Sequence, residues 1–218
     1  KELANGLIGK RNEDLFGSGR GGTYMRFGDK KQTWLIEGTA SIGEGPFDWV
    51  NKDLIDIKPA KIKRIEIVSA KGGTVVVKRD TPTAKDFKLE GIPSGKRQRG
   101  QWETTDMANL LENLKLKDLR RADEISFGDD VIHKGTIQTF DGLLIHSEGA
   151  VIGKKYWIRL SASVDAANPA VTDDIRSLAK TINARHKGFV YQVEEKPGKK
   201  FTCDHINLLE GAGIKACA

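Results

Sequence analysis

Three patterns in this 218-residue chain have residue types suited to chemistry: a glycine-rich run, four scattered histidines and a concentration of basic side chains. Gly17-Ser18-Gly19-Arg20-Gly21-Gly22 spells G-x-G-x-x-G. A dinucleotide site needs that pattern between a strand and a helix, so that the pyrophosphate rests on the helix N-terminus. Here the glycines precede a strand. A kinase-type glycine loop sits between strands, but Lys78 after Val75-Val76-Val77 lies far downstream, and neither H-R-D nor D-F-G occurs. The run reads as a loop whose Arg20 is placed to touch an anionic partner.

His133, His146, His186 and His205 show no H-E-x-x-H or other ligand spacing, so they read as surface or dipole-compensating residues. There is no G-x-S-x-G elbow, and Ser161 and Ser163 fall inside a strand rather than on a turn. A nucleophile and base brought together from distant positions stays open, because such sites assemble only in three dimensions. Asp129-Asp130 lack the spaced oxygen ligands of a calcium loop. No catalytic, cofactor-binding or metal-ligating residue is assigned, and the chain reads as a non-enzyme. Cys203 and Cys217 form no C-x-x-C pair. They are one disulfide or two thiols, according to compartment and to whether their Cα atoms lie within about 7 Å.

The charge is uneven. Residues 58–100 carry twelve Lys/Arg against Glu66, Asp80, Asp86 and Glu90, a local +8 in a chain of net +6 that leaves the remainder at −2. Such an excess attracts nucleic acid, anionic lipid or an acidic protein, or is simply a solvated sheet face. The absence of a nucleic-acid-reading motif argues against sequence-specific recognition. The candidate interaction surface is Arg20, Lys78, Arg79, Lys96, Arg97, Arg99 and Trp102. Trp102 lies in the polar connector beside the basic block and either packs under that connector, the favoured reading, or stands out as an interface anchor, whereas Trp34, Trp49 and Trp157 are expected in the core.

The elements that must position these residues can be read from periodicity. Residues 23–38 form a hairpin around Gly28-Asp29-Lys30, and Phe47–Ile55 a short helix. Residues 61–69 and 74–79 form a second hairpin, although Ile62 is out of phase with Ile65 and Ile67. Residues 80–100 are a connector with a short strand at Phe87–Leu89. Met107, Leu110, Leu111 and Leu114 have the spacing of one helix face, predicting a helix from Thr105 or Asp106 to about Lys115. A strand or extended link follows at 117–126. Residues 136–147 form a hairpin turning at Asp141-Gly142, and Lys155–Val164 is a strand. Thr172 caps a helix with the stripe Ile175, Leu178, Ala179 and Ile182, stopped by Gly188. Phe189–Val193 is a strand and 199–210 a short helix. Consecutive hairpins with packed helices predict an α+β fold with mainly antiparallel sheet. The element order repeats loosely, in halves 1–122 and 123–218 that either pack as one unit or stand apart.

With 38% hydrophobic and 30% charged residues, the chain can bury a core. It lacks a signal-peptide pattern, and no run approaches the roughly 20 apolar residues that span a bilayer. It starts at Lys1 and reads as a soluble piece of a longer chain.

Several phrases together resemble a known family: GTYMRFGDKKQTWLIEG, PFDWVNKDLIDI, IKRIEIVSAKGGTVVV, TFDGLLI, YWIRLSAS and INARHKGFVYQV. Their order and spacing, from about Ile8 to Leu209, are similar to the bacterial domain-of-unknown-function family 4340, whose genes often neighbour those of gliding-motility-type (Gld-like) ABC transporters. The resemblance implies an N-terminal membrane anchor and a further α/β portion before Lys1. It also implies a periplasmic or extracytoplasmic location and a role beside a transporter or other envelope protein. It supplies no catalytic residues. The polar stretch Glu194–Lys200 and the two cysteines depart from the family pattern, which puts the C-terminal helix in doubt. An accessory or scaffold module is therefore the leading expectation. The alternatives are a binder of anionic polymer or lipid through residues 58–100, and an envelope hydrolase with a dispersed site.

Overall fold

Antiparallel strands dominate the fold, with three α-helices among the described residues, so the class is α+β. The structure is a computed structural model describing residues 5–15, 21–38, 46–69, 72–128, 132–211 and 217. Arg20, Lys71 and Asp129-Asp130 lie outside the described residues. The chain divides into two units, Lys1–Val50 and Asn51–Ala218.

In the first unit, β1 (Gly6–Asn12), β2 (Gly22–Phe27) and β3 (Trp34–Glu37) form an antiparallel sheet in that order. Thr23 lies opposite Ile36 and Met25 opposite Trp34. The core placement expected for Trp34 and Trp49 is corrected. Trp34 is 55% exposed on its strand, and Trp49, in a 3-10 turn at Pro46–Trp49, is 71% exposed. The expected Phe47–Ile55 helix does not form, because β4 (Asp53–Ile55) pairs with a distant strand.

The second unit contains one nine-stranded sheet. Its strands are β4, β5 (Ile62–Ser69), β6 (Thr74–Lys78), β7 (Lys88–Leu89), β8 (Leu114–Arg121), β9 (His133–Thr139), β10 (Leu143–Ile152), β11 (Lys155–Val164) and β12 (Phe189–Val193). Their spatial order is β4-β8-β12-β11-β10-β9-β5-β6-β7. The four strands after residue 122 thus form a contiguous block in one sheet, flanked on both sides by strands from before it. The turn from β9 to β10 passes through Gly142 at φ +84°, a conformation that costs glycine little. Between β5 and β9, Ile62 opposes Thr139 and Arg64 opposes Gln138, so Lys63 is an extra residue. This bulge lets Ile62 bury alongside Ile65 and Ile67 despite its phase.

One face of the sheet is apolar, with Val75, Val77, Ile137, Ile145, Ile158 and Leu160 buried on it. Two helices, α2 (Asp173–His186) and α3 (Glu195–Phe201), pack against β10 and β11. The Thr172 hydroxyl accepts a hydrogen bond from Ile175 N–H at 3.4 Å, as an N-cap should. The buried face of α2 is Ala179, Ile182 and His186, rotated from the expected stripe, and Leu178 is exposed. Within α3, Gly198 permits close approach to β11. A Cβ there would stand 2.3 Å from the Tyr156 Cβ. Pro197 is tolerated in the first turn, where its missing N–H has no helical partner. The expected single helix at 199–210 is replaced by the end of α3 and a 3-10 turn at His205–Leu208. Cys203 and Cys217 form a disulfide, with Cα atoms 5.4 Å apart.

The helix expected over 105–115 is also corrected. A short helix, α1 (Gln101–Asp106), runs into a 3-10 turn at Met107–Leu111, and Leu114 already belongs to β8. Met107, Leu110, Leu111 and Leu114 are all buried, so the apolar spacing is real. Asn113, at φ +48°, reverses the chain and converts the last of these positions to a strand. No helix among the described residues is long and apolar enough to cross a membrane; this leaves membrane-crossing strands unaddressed.

Candidate functional site

Side-chain alternation puts a polar row on the sheet face opposite the helices. β9 contributes Lys134 and Thr136, β10 contributes His146 and Glu148, and β11 contributes Arg159, Ser161 and Ser163. The register places Thr136 and Ser161 on either side of His146, and Lys134 and Arg159 on either side of Glu148. Farther along the strands this face becomes apolar. Ala150, Trp157 and Val190 are closed there by Phe127 and Ile132. The polar row floors a groove of about 510 Å³, bordered by Ala122 and by His186–Phe189.

Arg159 ties the floor to its wall. Its guanidinium donates to Glu148 Oε2 at 3.2 Å and to the Ile125 carbonyl at 3.1 Å, and lies 4.3 Å from the centre of the Phe127 ring. His146 sits between hydroxyls: Nε2 is 2.7 Å from Ser163 Oγ and Nδ1 is 3.5 Å from Thr136 Oγ1. The imidazole can accept from one hydroxyl and donate to the other, the direction depending on its tautomer. At the border, His186 Nδ1 meets the Tyr191 hydroxyl at 2.9 Å. Burial, reinforced by Arg185, lowers the His186 pKa, and the Leu54 backbone opposes this only partly. His186 is thus buried and held neutral rather than serving as the exposed dipole-compensating residue expected from its place in the last helical turn.

The basic block has a different fate. It lies mostly on β5, β6, β7 and the connector that follows, at one end of the sheet. Arg79, expected at the surface, is buried. Its guanidinium donates to the carbonyls of Ile62, Ala84 and Pro59 at 2.8 Å and of Ala60 at 2.5 Å, between the rings of Phe87 and Phe140. It ties the segment Pro59–Ile62 to the turn carrying Ala84, so its guanidinium is spent on backbone. Lys58 pairs with Asp56 at 3.3 Å and Glu112 at 3.5 Å, Arg64 with Glu66 at 2.5 Å, and Lys78 with Glu90. The hydrogen bond from Lys78 lowers the Glu90 pKa. Arg99 lies 4.0 Å from Glu103, whose own pKa is raised by burial. Lys63, Lys85, Lys96 and Arg97 have no ion pair among the described residues.

The segment carrying Lys96, Arg97 and Arg99 runs beside Leu208–Glu210, with Arg99 N–H donating to the Leu208 carbonyl at 2.7 Å. Lys96 borders a second, more apolar groove of about 560 Å³ with Pro93, His205, Ile206 and Leu209. Trp102 stands on α1, 61% exposed. Among the described residues, no three His, Cys, Asp or Glu side chains are grouped so as to hold a metal ion.

Sequence reasoning missed the first groove. Its signal was nonetheless present: polar residues recur at every second position of three neighbouring strands, out of phase with Ile145, Ile158 and Leu160.

Residues 7–129 match the family described as Domain of unknown function (DUF4340), more than half of the chain. The chain belongs to this family. The DUF4340 match takes in most of the first unit, the basic block and β4 to β8, and ends before the strands that floor the first groove. No curated protein and no solved structure matches the chain.

Proposed function

We propose that this DUF4340 chain is a non-catalytic binding module, the extracytoplasmic part of a membrane-anchored protein that works as an accessory or scaffold beside an ABC transporter. The observation that carries the binding reading is the surroundings of His146. A serine hydroxyl lies 2.7 Å from its Nε2, but the other ring nitrogen faces Thr136, not an orienting carboxylate. Ser163 lies within a regular strand rather than on a turn, and the neighbouring Ala162 N–H is taken by Asn183 Oδ1 at 2.7 Å instead of being free for an oxyanion. Hydroxyls, an imidazole and cations on a preformed floor suit holding a ligand better than breaking a bond. The transporter association and the location outside the cytoplasm are supported by the phrase-by-phrase resemblance to the family.

The test is crosslinking of the full-length protein in native membranes, followed by mass spectrometry. Recovery of a permease and its ATPase with the bait supports the accessory role; crosslinks confined to the bait itself refute it.

A second reading, a polyanion or anionic-lipid binder acting through residues 58–100, is favoured by Lys63, Lys85, Lys96 and Arg97, which carry no ion pair among the described residues. Binding to duplex DNA would then weaken with salt at a log–log slope of about −0.9 for each phosphate neutralised. A flat response overturns it.

A further inference from the structure

We infer that the groove over β9, β10 and β11 is a binding site for a small hydroxyl-bearing anion, a sugar acid or sugar phosphate. This goes beyond the accessory role, which does not require it.

Charge, polarity and shape converge on that ligand class. Lys134, Arg159 and Lys187 line the groove against a single carboxylate, Glu148, which is engaged by Arg159. Lys134 and Lys187 remain without an ion pair among the described residues, and both are exposed. The C-terminal end of α2 also borders the groove, and its dipole contributes roughly half a negative charge, so the local balance stays positive. Two flexible ammonium groups flanking a hydrogen-bonding floor can close on a carboxylate or phosphate as point charges.

The floor supplies the rest of the recognition. Thr136 and Ser161 present hydroxyls on strands flanking His146, which is held between Thr136 and Ser163, and each of these two hydroxyls can donate or accept toward ligand hydroxyls. Phe189, at the rim, keeps 38% of its surface exposed and offers a ring face to the C–H side of a sugar. The groove's 510 Å³ falls within the roughly 300–1,000 Å³ usual for small-ligand sites. A bare inorganic anion would leave the hydroxyl-rich floor and the ring unused, and a neutral sugar would leave both lysines unused.

The experiment is titration of the ¹⁵N-labelled chain with galacturonate, galactose 6-phosphate and galactose, followed by amide shifts. Saturable shifts at Thr136, His146, Ser161 and Phe189 are expected with either anion, with a dissociation constant of about 1 mM or tighter. The carboxylate and phosphate arms tell the two anion sources apart. The Lys134→Gln/Lys187→Gln double variant changes two exposed side chains, so its fold is kept, and it should bind about tenfold more weakly, one decade of affinity. The inference is overturned if galactose binds as well as the anions. It is equally overturned if the anions shift only amides near Lys96 and Arg97, if the double variant binds unchanged, or if no groove amide moves. A failure here leaves the transporter crosslinks as a separate result.

Discussion

Lys200 Nζ lies 2.8 Å from Asp106 Oδ2 and donates to the Asp106 backbone carbonyl at 2.7 Å, joining α3 to the end of α1 with the lysine only 3% exposed. Asp106 is further supported by Asn109 Nδ2 at 2.6 Å and by Lys196 at 3.7 Å. Burial opposes ionisation of Asp106, but its hydrogen bonds with Lys200 and Asn109 outweigh burial and its pKa is lowered. For Lys200 burial wins, and its pKa is lowered despite Asp106.

Removing one partner strands the other. Asp106→Ala should cost about 3–5 kcal/mol, because it leaves a buried ammonium uncompensated. Lys200→Met should cost less, since Asp106 retains Asn109 and Lys196. Because the folded pKa of Asp106 is depressed, its stabilisation is present above the unfolded value near 3.8 and is lost as pH falls from there through the folded pKa. Urea unfolding at pH 6 and pH 3 should show the gap between wild type and Asp106→Asn shrinking in acid.

Arg79 should behave as a structural residue. Arg79→Met leaves the carbonyls of Pro59, Ala60, Ile62 and Ala84 without their donor and should destabilise by at least about 3 kcal/mol. Arg79→Lys should recover less than half of that loss, because an ammonium cannot reproduce the planar fork. Chemical denaturation midpoints decide.

His186 makes stability fall in mild acid. Its folded pKa lies below 6.5, so the unfolded chain takes up the proton first. Stability should be constant above that pH and decline as pH drops from 6.5 through the folded value. His186→Phe should flatten the decline between pH 7.5 and 5, read from unfolding free energies across that range.

The disulfide closes a loop with a sequence separation of 14 residues. Reduction should lower stability by about 3 kcal/mol on the chain-entropy estimate for a loop of that length. Thermal unfolding with and without reductant checks it, and an unchanged midpoint would mean that the bond constrains little.

Trp102 separates surface from core. At 61% exposure, Trp102→Ala should alter unfolding free energy by less than about 0.5 kcal/mol. It should also reduce the yield of transporter crosslinks, if this face meets the partner.

The sequence alone determined what local chemistry controls. Asp141-Gly142 between two alternating runs marked the β9–β10 turn, and the spacing of Tyr156, Ile158 and Leu160 marked β11. Thr172 and Gly188 bracketed α2, and the abundance of paired strands set the α+β class. Turn formers, caps and two-residue alternation act within a few residues, so they can be read in order along the chain.

Tertiary structure decided which of two local solutions won and which charges were spent. Leu114 had helical spacing, yet it joined β8 because β12 and β4 lay beside it to accept a strand. Arg79 sat among surface lysines in sequence, yet four carbonyls made its burial tolerable. Part of the basic block met acids from distant segments, as Lys58 met Glu112 and Lys61 met Asp141, and part met acids at neighbouring strands, as Lys78 met Glu90. The His146 groove needed the register of three strands before its polar residues became neighbours. Burial and ion pairing depend on residues dozens of positions away, and only the folded sheet brings those residues into contact.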